Sequence, residues 1–168
     1  MANISGEDYY LKVLFEKTKI KDVMTTPVVT IHENDEVSEA QMKFVNNHIS
    51  HLIVVNTENK LVGIISQKYL YKTQSPRKII SEEMDYDPDI LFDGDNSFYS
   101  KDTLDRFILH SIMSKDPFSL SPEDSLAKGI LSMAQKKISC IPIVDQNRRP
   151  QGVLSHQEIV IFAAKLLS

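Results

Sequence analysis

The chain has 168 residues, 42% of them hydrophobic and 25% charged, with a formal net charge of −4; these proportions exclude a collagenous, disordered or disulfide-scaffold protein, and the acidic balance argues against a dedicated nucleic-acid binder. A single cysteine, Cys140, excludes an intrachain disulfide and a four-cysteine zinc site. The start, Met1 to Asp8, is polar and lacks a signal h-region, and no apolar run approaches the roughly 20 residues of a membrane span, so the chain reads as cytoplasmic with no membrane partner.

Residues 1–19 form a first segment in which Tyr9, Tyr10, Val13, Leu14 and Phe15 mark the apolar face of a helix. Glu7 and Asp8 at its start and Lys17 at its end suit the helix dipole. An extended run follows at Val28 to Ile31, then Asp35 where an N-cap belongs. Val37, Ala40, Gln41, Phe44 and Val45 then give one face of an amphipathic helix. The strand His51–Val55, the polar turn 56–60 and the strand Leu61–Ile65 come next, and Ser66 caps a closing helix.

Sliding the chain by about 89 positions lays its end on its beginning without a gap. Val23-Met24-Thr25 falls on Ile112-Met113-Ser114, and Ile49-Ser50 on Ile138-Ser139. Gly63-Ile64-Ile65-Ser66 falls on Gly152-Val153-Leu154-Ser155. The second copy therefore repeats the order: Phe118 to Leu120, the cap Asp124, a helix face of Leu126, Gly129, Ile130, Met133 and Ala134, the strand Cys140–Val144, the turn 145–150, the strand Gln151–Leu154 and a helix capped by Ser155. This divides the chain into a first repeat at 20–73, a connector at 74–107 and a second repeat at 108–168. From Ile79 to Ser100 the connector has seven acids and no Lys or Arg, so an acidic middle separates two slightly basic flanks.

Each β-α-β-β-α repeat has strands that are apolar on both faces, as in Leu52-Ile53-Val54-Val55. Its own helices cover one face, and the sister repeat is the simplest cover for the other. The predicted fold is α/β (α+β), with tandem repeats packed as an intramolecular pseudo-two-fold pair around two equivalent clefts.

Three repeated features carry a resemblance: the Met-Thr/Ser lead-in (Met24-Thr25, Met113-Ser114), the Ile-Ser-then-strand segment, and the Gly-apolar-apolar-Ser segment before the last helix. Each half resembles a CBS domain and the whole resembles a CBS pair, or Bateman module. The resemblance implies a regulatory, non-catalytic module that holds an adenosine compound (AMP, ADP, ATP or S-adenosylmethionine), forms a homodimer and signals to a protein target. It implies that an acidic residue three after the closing Ser accepts the ribose hydroxyls, which suits a carboxylate facing a cis-diol. That position is Glu158 in the second repeat and Tyr69 in the first. Lys68 or His156 would meet phosphate, and Val28 or Phe118 with Ile53 or Pro142 would enclose the adenine. The second cleft is the better candidate, lined by Val28, Lys68, Pro142, Gly152, Ser155, His156 and Glu158. Phe118, Ile53, Gly63 and Ser66 belong to the weaker one.

Other residues keep two readings each. Gly63 and Gly152, inside strands, mark either close approach of a ligand or a bulge or tight sheet packing. Ser66 and Ser155 either cap helices or offer hydroxyls to ribose or phosphate. His48 and His51 with a carboxylate suggest a metal, but His48 ends a helix, where a basic residue suits the dipole, and its counterpart is Lys137. No metal site is expected. Cys140 reads as a buried small apolar residue before a redox thiol. The acidic middle lacks the ligand order of a calcium loop and reads as a connector tethered by Ile90, Leu91, Phe92, Phe98 and Tyr99. No catalytic motif is present. Two further function classes stay open: a CBS pair that only dimerises or scaffolds, and a divalent-metal-dependent protein using the acidic connector.

Overall fold

The computed structural model describes residues 6–68 and 109–167. Tyr69, the connector 74–107 with its acidic stretch, and the metal reading attached to it lie outside the described residues. In chain order the elements are α1 (Gly6–Lys17), β1 (Thr30–His32), α2 (Val37–Asn47), β2 (His51–Val55), β3 (Leu61–Ser66), α3 (Leu109–Ile112), β4 (Ser114–Lys115), α4 (Leu126–Lys136), β5 (Cys140–Val144), β6 (Pro150–Ser155) and α5 (His156–Leu167). This is the mixed α+β content expected of two repeats.

The chain divides into two compact units, and neither coincides with one repeat. Of the described residues, the second-repeat unit takes 6–28, 56–62 and 116–167, and the first-repeat unit takes 29–55, 63–68 and 109–115. Each unit thus contains the lead-in of the opposite repeat. In the second-repeat unit the amides of Ile20 and Lys21 donate to the carbonyls of Asp124 and Pro122, each at 3.0 Å. Thr25 then pairs antiparallel with Val153 on β6, its N–H donating at 2.9 Å and its carbonyl accepting at 3.2 Å. The first-repeat unit repeats the pattern: Leu109 and His110 donate to Asp35 and Glu33 at 3.2 and 3.1 Å, and β4 pairs with β3 through Gly63↔Lys115 and Ile64↔Ser114. A two-stranded hairpin leaves a row of edge amides and carbonyls unpaired, and the added strand satisfies them.

The core of the second-repeat unit is Ile20, Leu120, Leu126, Met133, Ile141, Ile143 and Leu154. Phe15 of α1 reaches it and meets Phe162 with ring centroids 6.0 Å apart. In the first-repeat unit the sheet has the order β1-β2-β3-β4, and Ile31, Leu52, Ile53 and Val54 of its strands are buried together with Val37 and Phe44 of α2, Leu109 of α3 and Met113.

Three local expectations are corrected. The N-caps are Glu36 and Ser125, one residue after Asp35 and Asp124. The Asp carboxylates fold back to accept from His32 N–H at 2.9 Å and Ser121 N–H at 2.8 Å, closing the turn that precedes each helix. The buried helix stripe is narrower than expected. Val37, Ala40 and Phe44, and equally Leu126, Gly129 and Met133, are buried, while Val45 and Ala134 are exposed, because the i, i+3, i+7 positions already face the sheet and i+8 rotates off it.

The third concerns the extended runs. In the first repeat, β1 pairs in parallel with β2 over Thr30↔Ile53, Ile31↔Val54 and His32↔Val55. In the second, only the Leu120↔Ile143 rung survives, so Phe118 is not in a strand. Leu120 N–H donates to the Pro142 carbonyl at 3.2 Å and Val144 N–H to the Leu120 carbonyl at 2.9 Å. Pro142 turns its missing donor to that same edge, so the ladder stops there, whereas Ile53 has an amide to continue it.

Candidate ligand-binding site

The second-repeat unit gathers Thr25, Gly152, Ser155 and Glu158 along β6 and at its end. The sequence Ser155-His156-Gln157-Glu158 is a capping box. Ser155 is the N-cap: its Oγ accepts from the Gln157 N–H at 3.2 Å. Glu158 reaches back, and its Oε2 accepts from the Ser155 N–H at 2.7 Å and from the Ser155 hydroxyl. Its other oxygen, Oε1, accepts from the Thr25 hydroxyl at 2.8 Å. The carboxylate therefore ties the closing helix to its own cap and to the lead-in strand of the opposite repeat.

Burial alone would push the Glu158 carboxyl up; hydrogen bonds from Ser155 and Thr25, with backbone N–H groups behind them, outweigh it and hold the group below the ordinary value of 4.5. The result is a half-buried, ionised carboxylate at a helix N-terminus, where the macrodipole favours it. The nearby Cys140 is buried, and desolvation, then the Glu158 charge, pushes its thiol up to about 12. A thiol with so little thiolate is unreactive, in keeping with its reading as a small apolar residue.

Both strand glycines are places of close approach, and in the described residues the approaching group is methionine. A Cβ on Gly152 would lie 2.6 Å from Met24 Sδ and 2.9 Å from the Thr25 carbonyl. A Cβ on Gly63 would overlap the Met113 side chain, coming within 2.9 Å of its Cγ. The pairing of β5 with β6 also shifts register between Ile143 and Val144, beside Gly152. The repeated Met of the lead-in and the repeated Gly of the strand are thus partners across repeats.

The other predicted residues are distributed as follows. Pro142 is buried on β5, and Val28 is half-buried in the same second-repeat unit. His156 is exposed at the first turn of α5, and its N–H donates to the Ser139 carbonyl at 3.2 Å. Phe118 is half-buried in the second-repeat unit with the Lys136 ammonium 4.7 Å over its ring. Ile53, Gly63, Ser66 and Lys68 belong to the first-repeat unit. Of these, Lys68 is exposed and Ile53 fully buried. The Ile-Ser motifs have a backbone role: the Ser50 carbonyl accepts from Gln67 N–H at 2.9 Å, as Ser139 does from His156. His48 and Lys137 occupy left-handed C-cap positions with φ of 52° and 55°, and among the described residues no cluster of His, Cys, Asp and Glu could hold a metal. A groove of about 580 Å³ between α4 and α5 is lined by Ile130, Met133, Ile138, Ile159 and Val160 and includes His156.

Sequence reasoning missed Thr25 and Met24 as members of this site. The capping box was legible in the order Ser-x-x-Glu, but the proximity of Thr25 depends on the exchange of lead-ins. No helix among the described residues is long and apolar enough to cross a membrane.

Comparison with known proteins places these features. The CBS domain profile matches residues 20–75 and 109–165. A CBS domain pair solved with 5′-methylthioadenosine and S-adenosyl-L-methionine superposes with a TM-score of 0.66 at 23% identity, covering 88% of this chain and 98% of that one. A CBS domain-containing protein from Bacillus anthracis gives 0.69 at 20% identity, covering 92% and 98%. A CBS protein solved in complex with AMP gives 0.64 at 18%, covering 90% and 99%. In sequence, the chain is 25% identical over 151 residues to homoserine O-acetyltransferase of Methanococcus vannielii, covering 90% of this chain and 26% of that enzyme. It is 25% identical over 142 residues to L-aspartate semialdehyde sulfurtransferase of Methanocaldococcus jannaschii, covering 84% and 22%. The chain spans about a quarter of the length of these curated relatives. With the profile matching both repeats over most of its length, the chain belongs to the CBS domain family, as a tandem pair.

Proposed function

We propose that this CBS pair is a regulatory module that binds an adenosine-containing ligand (AMP, ADP, ATP or S-adenosylmethionine) on its second repeat and signals occupancy to a protein target, without catalysis of its own. The observation that carries the reading is the state of Glu158. It is ionised, half-buried, and accepts a hydroxyl on each oxygen, from Ser155 and Thr25. A ribose hydroxyl is a donor of the same kind. Half-buried Val28 supplies apolar surface for the adenine in the same unit, with Pro142 buried on β5, and exposed His156, at a helix N-terminus, suits phosphate. The solved relatives that hold AMP or S-adenosylmethionine support the same ligand class.

The same reading takes exposed Val160, Ile161 and Leu166 on α5, at 66, 46 and 46% exposure, as the contact for a second copy of the chain. Light scattering at tens of micromolar, on the order of assay concentrations, should give a dimer, and Val160→Asp a monomer; a wild-type monomer removes this part of the reading.

A second reading, a CBS pair that scaffolds without a ligand, has its own support: Met24 fills the space over Gly152 and every described partner of Glu158 is internal. Calorimetry against adenine nucleotides and S-adenosylmethionine separates the two. Saturable binding that Glu158→Ala weakens about tenfold to hundredfold supports the ligand reading. No heat with any member of the panel supports the scaffold.

A further inference from the structure

The hydrogen-bond inventory of Glu158 limits how a ribose can be held. A carboxylate has about four acceptor directions, two on each oxygen. Oε2 already receives two donors from Ser155, the backbone N–H and the hydroxyl. The N–H bond belongs to the capping box that starts α5, and the Ser155 hydroxyl is held facing Oε2 because its oxygen accepts from the Gln157 N–H at 3.2 Å. Oε1 receives the Thr25 hydroxyl at 2.8 Å. At most one acceptor direction remains, and it lies on Oε1. A cis-diol needs two.

The donor that can leave is Thr25. It is exposed, and its place on β6 depends on the backbone, through its N–H to the Val153 carbonyl and its own carbonyl to the Val153 N–H. Its hydroxyl contributes to neither bond. We infer that Thr25 is a specificity-determining residue of the site: its hydroxyl competes with one ribose hydroxyl for Glu158 Oε1. The unmodified site therefore takes ribosyl and 2′-deoxyribosyl ligands with similar affinity. This rests on the adenosine-binding reading above and adds to it a residue from the opposite repeat and a rule for sugar selection.

The rule follows from hydrogen-bond competition. In the wild-type chain the second ribose hydroxyl gains a bond to Oε1 only by breaking that of Thr25, and the exchange is nearly neutral. Without the Thr25 hydroxyl, the same ribose hydroxyl meets an open charged acceptor and gains the full bond. A 2′-deoxy ligand has no second hydroxyl to place there and gains nothing.

The test is calorimetry of the full chain with AMP and 2′-deoxy-AMP, for the wild type, Thr25→Val, Thr25→Ala and Thr25→Ser. In the wild type and Thr25→Ser, the two ligands should differ by no more than about threefold. In Thr25→Val the preference for AMP should rise to about tenfold or more. Thr25→Ala, which adds no bulk, must show the same rise, and protection of the Val153 amide from exchange confirms that the lead-in strand is still seated. A wild type that already prefers AMP tenfold, or a ratio left unchanged by both Val and Ala, overturns the role of Thr25 while AMP binding itself upholds the ligand reading. Absence of binding by either nucleotide to any of the four chains overturns both.

Discussion

The sulfur of Met24 stands 2.6 Å from where a side chain on Gly152 would begin, and Met113 stands against Gly63 in the same way. The two contacts differ in one respect that can be measured. At Gly63 the three nearest atoms all belong to the flexible Met113 side chain, whereas at Gly152 the Thr25 carbonyl is also in the way, at 2.9 Å. Gly63→Ala and Gly152→Ala should each destabilise by about 1–3 kcal/mol through overpacking. Adding Met113→Ala should relieve most of the Gly63→Ala cost, while Met24→Ala should relieve less of that of Gly152→Ala. Denaturant melts of the two double-mutant cycles read the difference, and equal coupling in both cycles would contradict the packing described here.

Glu158 links stability to acidity. Its folded-state carboxyl lies below the ordinary value of 4.5, so its stabilising effect is complete above that value and is lost as pH falls through the folded-state value. Glu158→Gln should therefore cost about 1 kcal/mol at pH 7, a modest figure because the half-exposed site is screened by solvent. The gap between wild type and variant should close on acidification below pH 4.5. Thermal melts from neutral to acid pH check this, and a gap that is constant with pH would show that the carboxylate charge is not what holds the contact.

Cys140 should be silent in the folded chain. With its thiol pushed up to about 12 by burial and by the Glu158 charge, it presents almost no thiolate at pH 8. Labelling with an aromatic disulfide should be slow in native buffer and should follow the unfolding transition in denaturant. Fast stoichiometric labelling of native protein would restore the redox reading.

The Ile53 and Pro142 pair explains one of the two rungs by which the three-rung ladder of the first repeat exceeds the single rung of the second; at the other end Glu33 N–H donates to the Val55 carbonyl at 2.9 Å, where the second repeat has Pro122 and no donor. Ile53→Pro should remove the Thr30 rung, leave the Ile31 and His32 rungs in place, and cost about 1–3 kcal/mol, one ladder bond together with lost apolar volume. Amide exchange read along residues 29–55 would show it. Unchanged protection would mean that Pro142 is not what limits the second ladder at this end.

Much of the architecture could be read along the chain because it rests on short-range patterns. The strands 51–55 and 140–144, the helices beginning at Val37 and Leu126, and the turns closed by Asn56 and Asp145 all follow from local periodicity and side-chain reach. Asn56 Oδ1 accepts from Glu58 and Lys60 N–H, and Asp145 Oδ1 accepts from Asn147 and Arg149 N–H, so the two turns share one mechanism written in sequence. Duplication made the pattern legible, since each copy checks the other. The tertiary structure decided which Met sits over which Gly and which hydroxyl meets Glu158. Met24 precedes Gly152, and Thr25 precedes Glu158, by well over half the chain, and no local pattern encodes a contact at that separation. The unpaired edge of β6 decides it, because that edge needs donors and acceptors and the lead-in of the other repeat supplies them. For the same reason Thr25 was invisible as a site residue: its part in the site comes from the strand it joins, while its own repeat marks it only as the residue after a methionine.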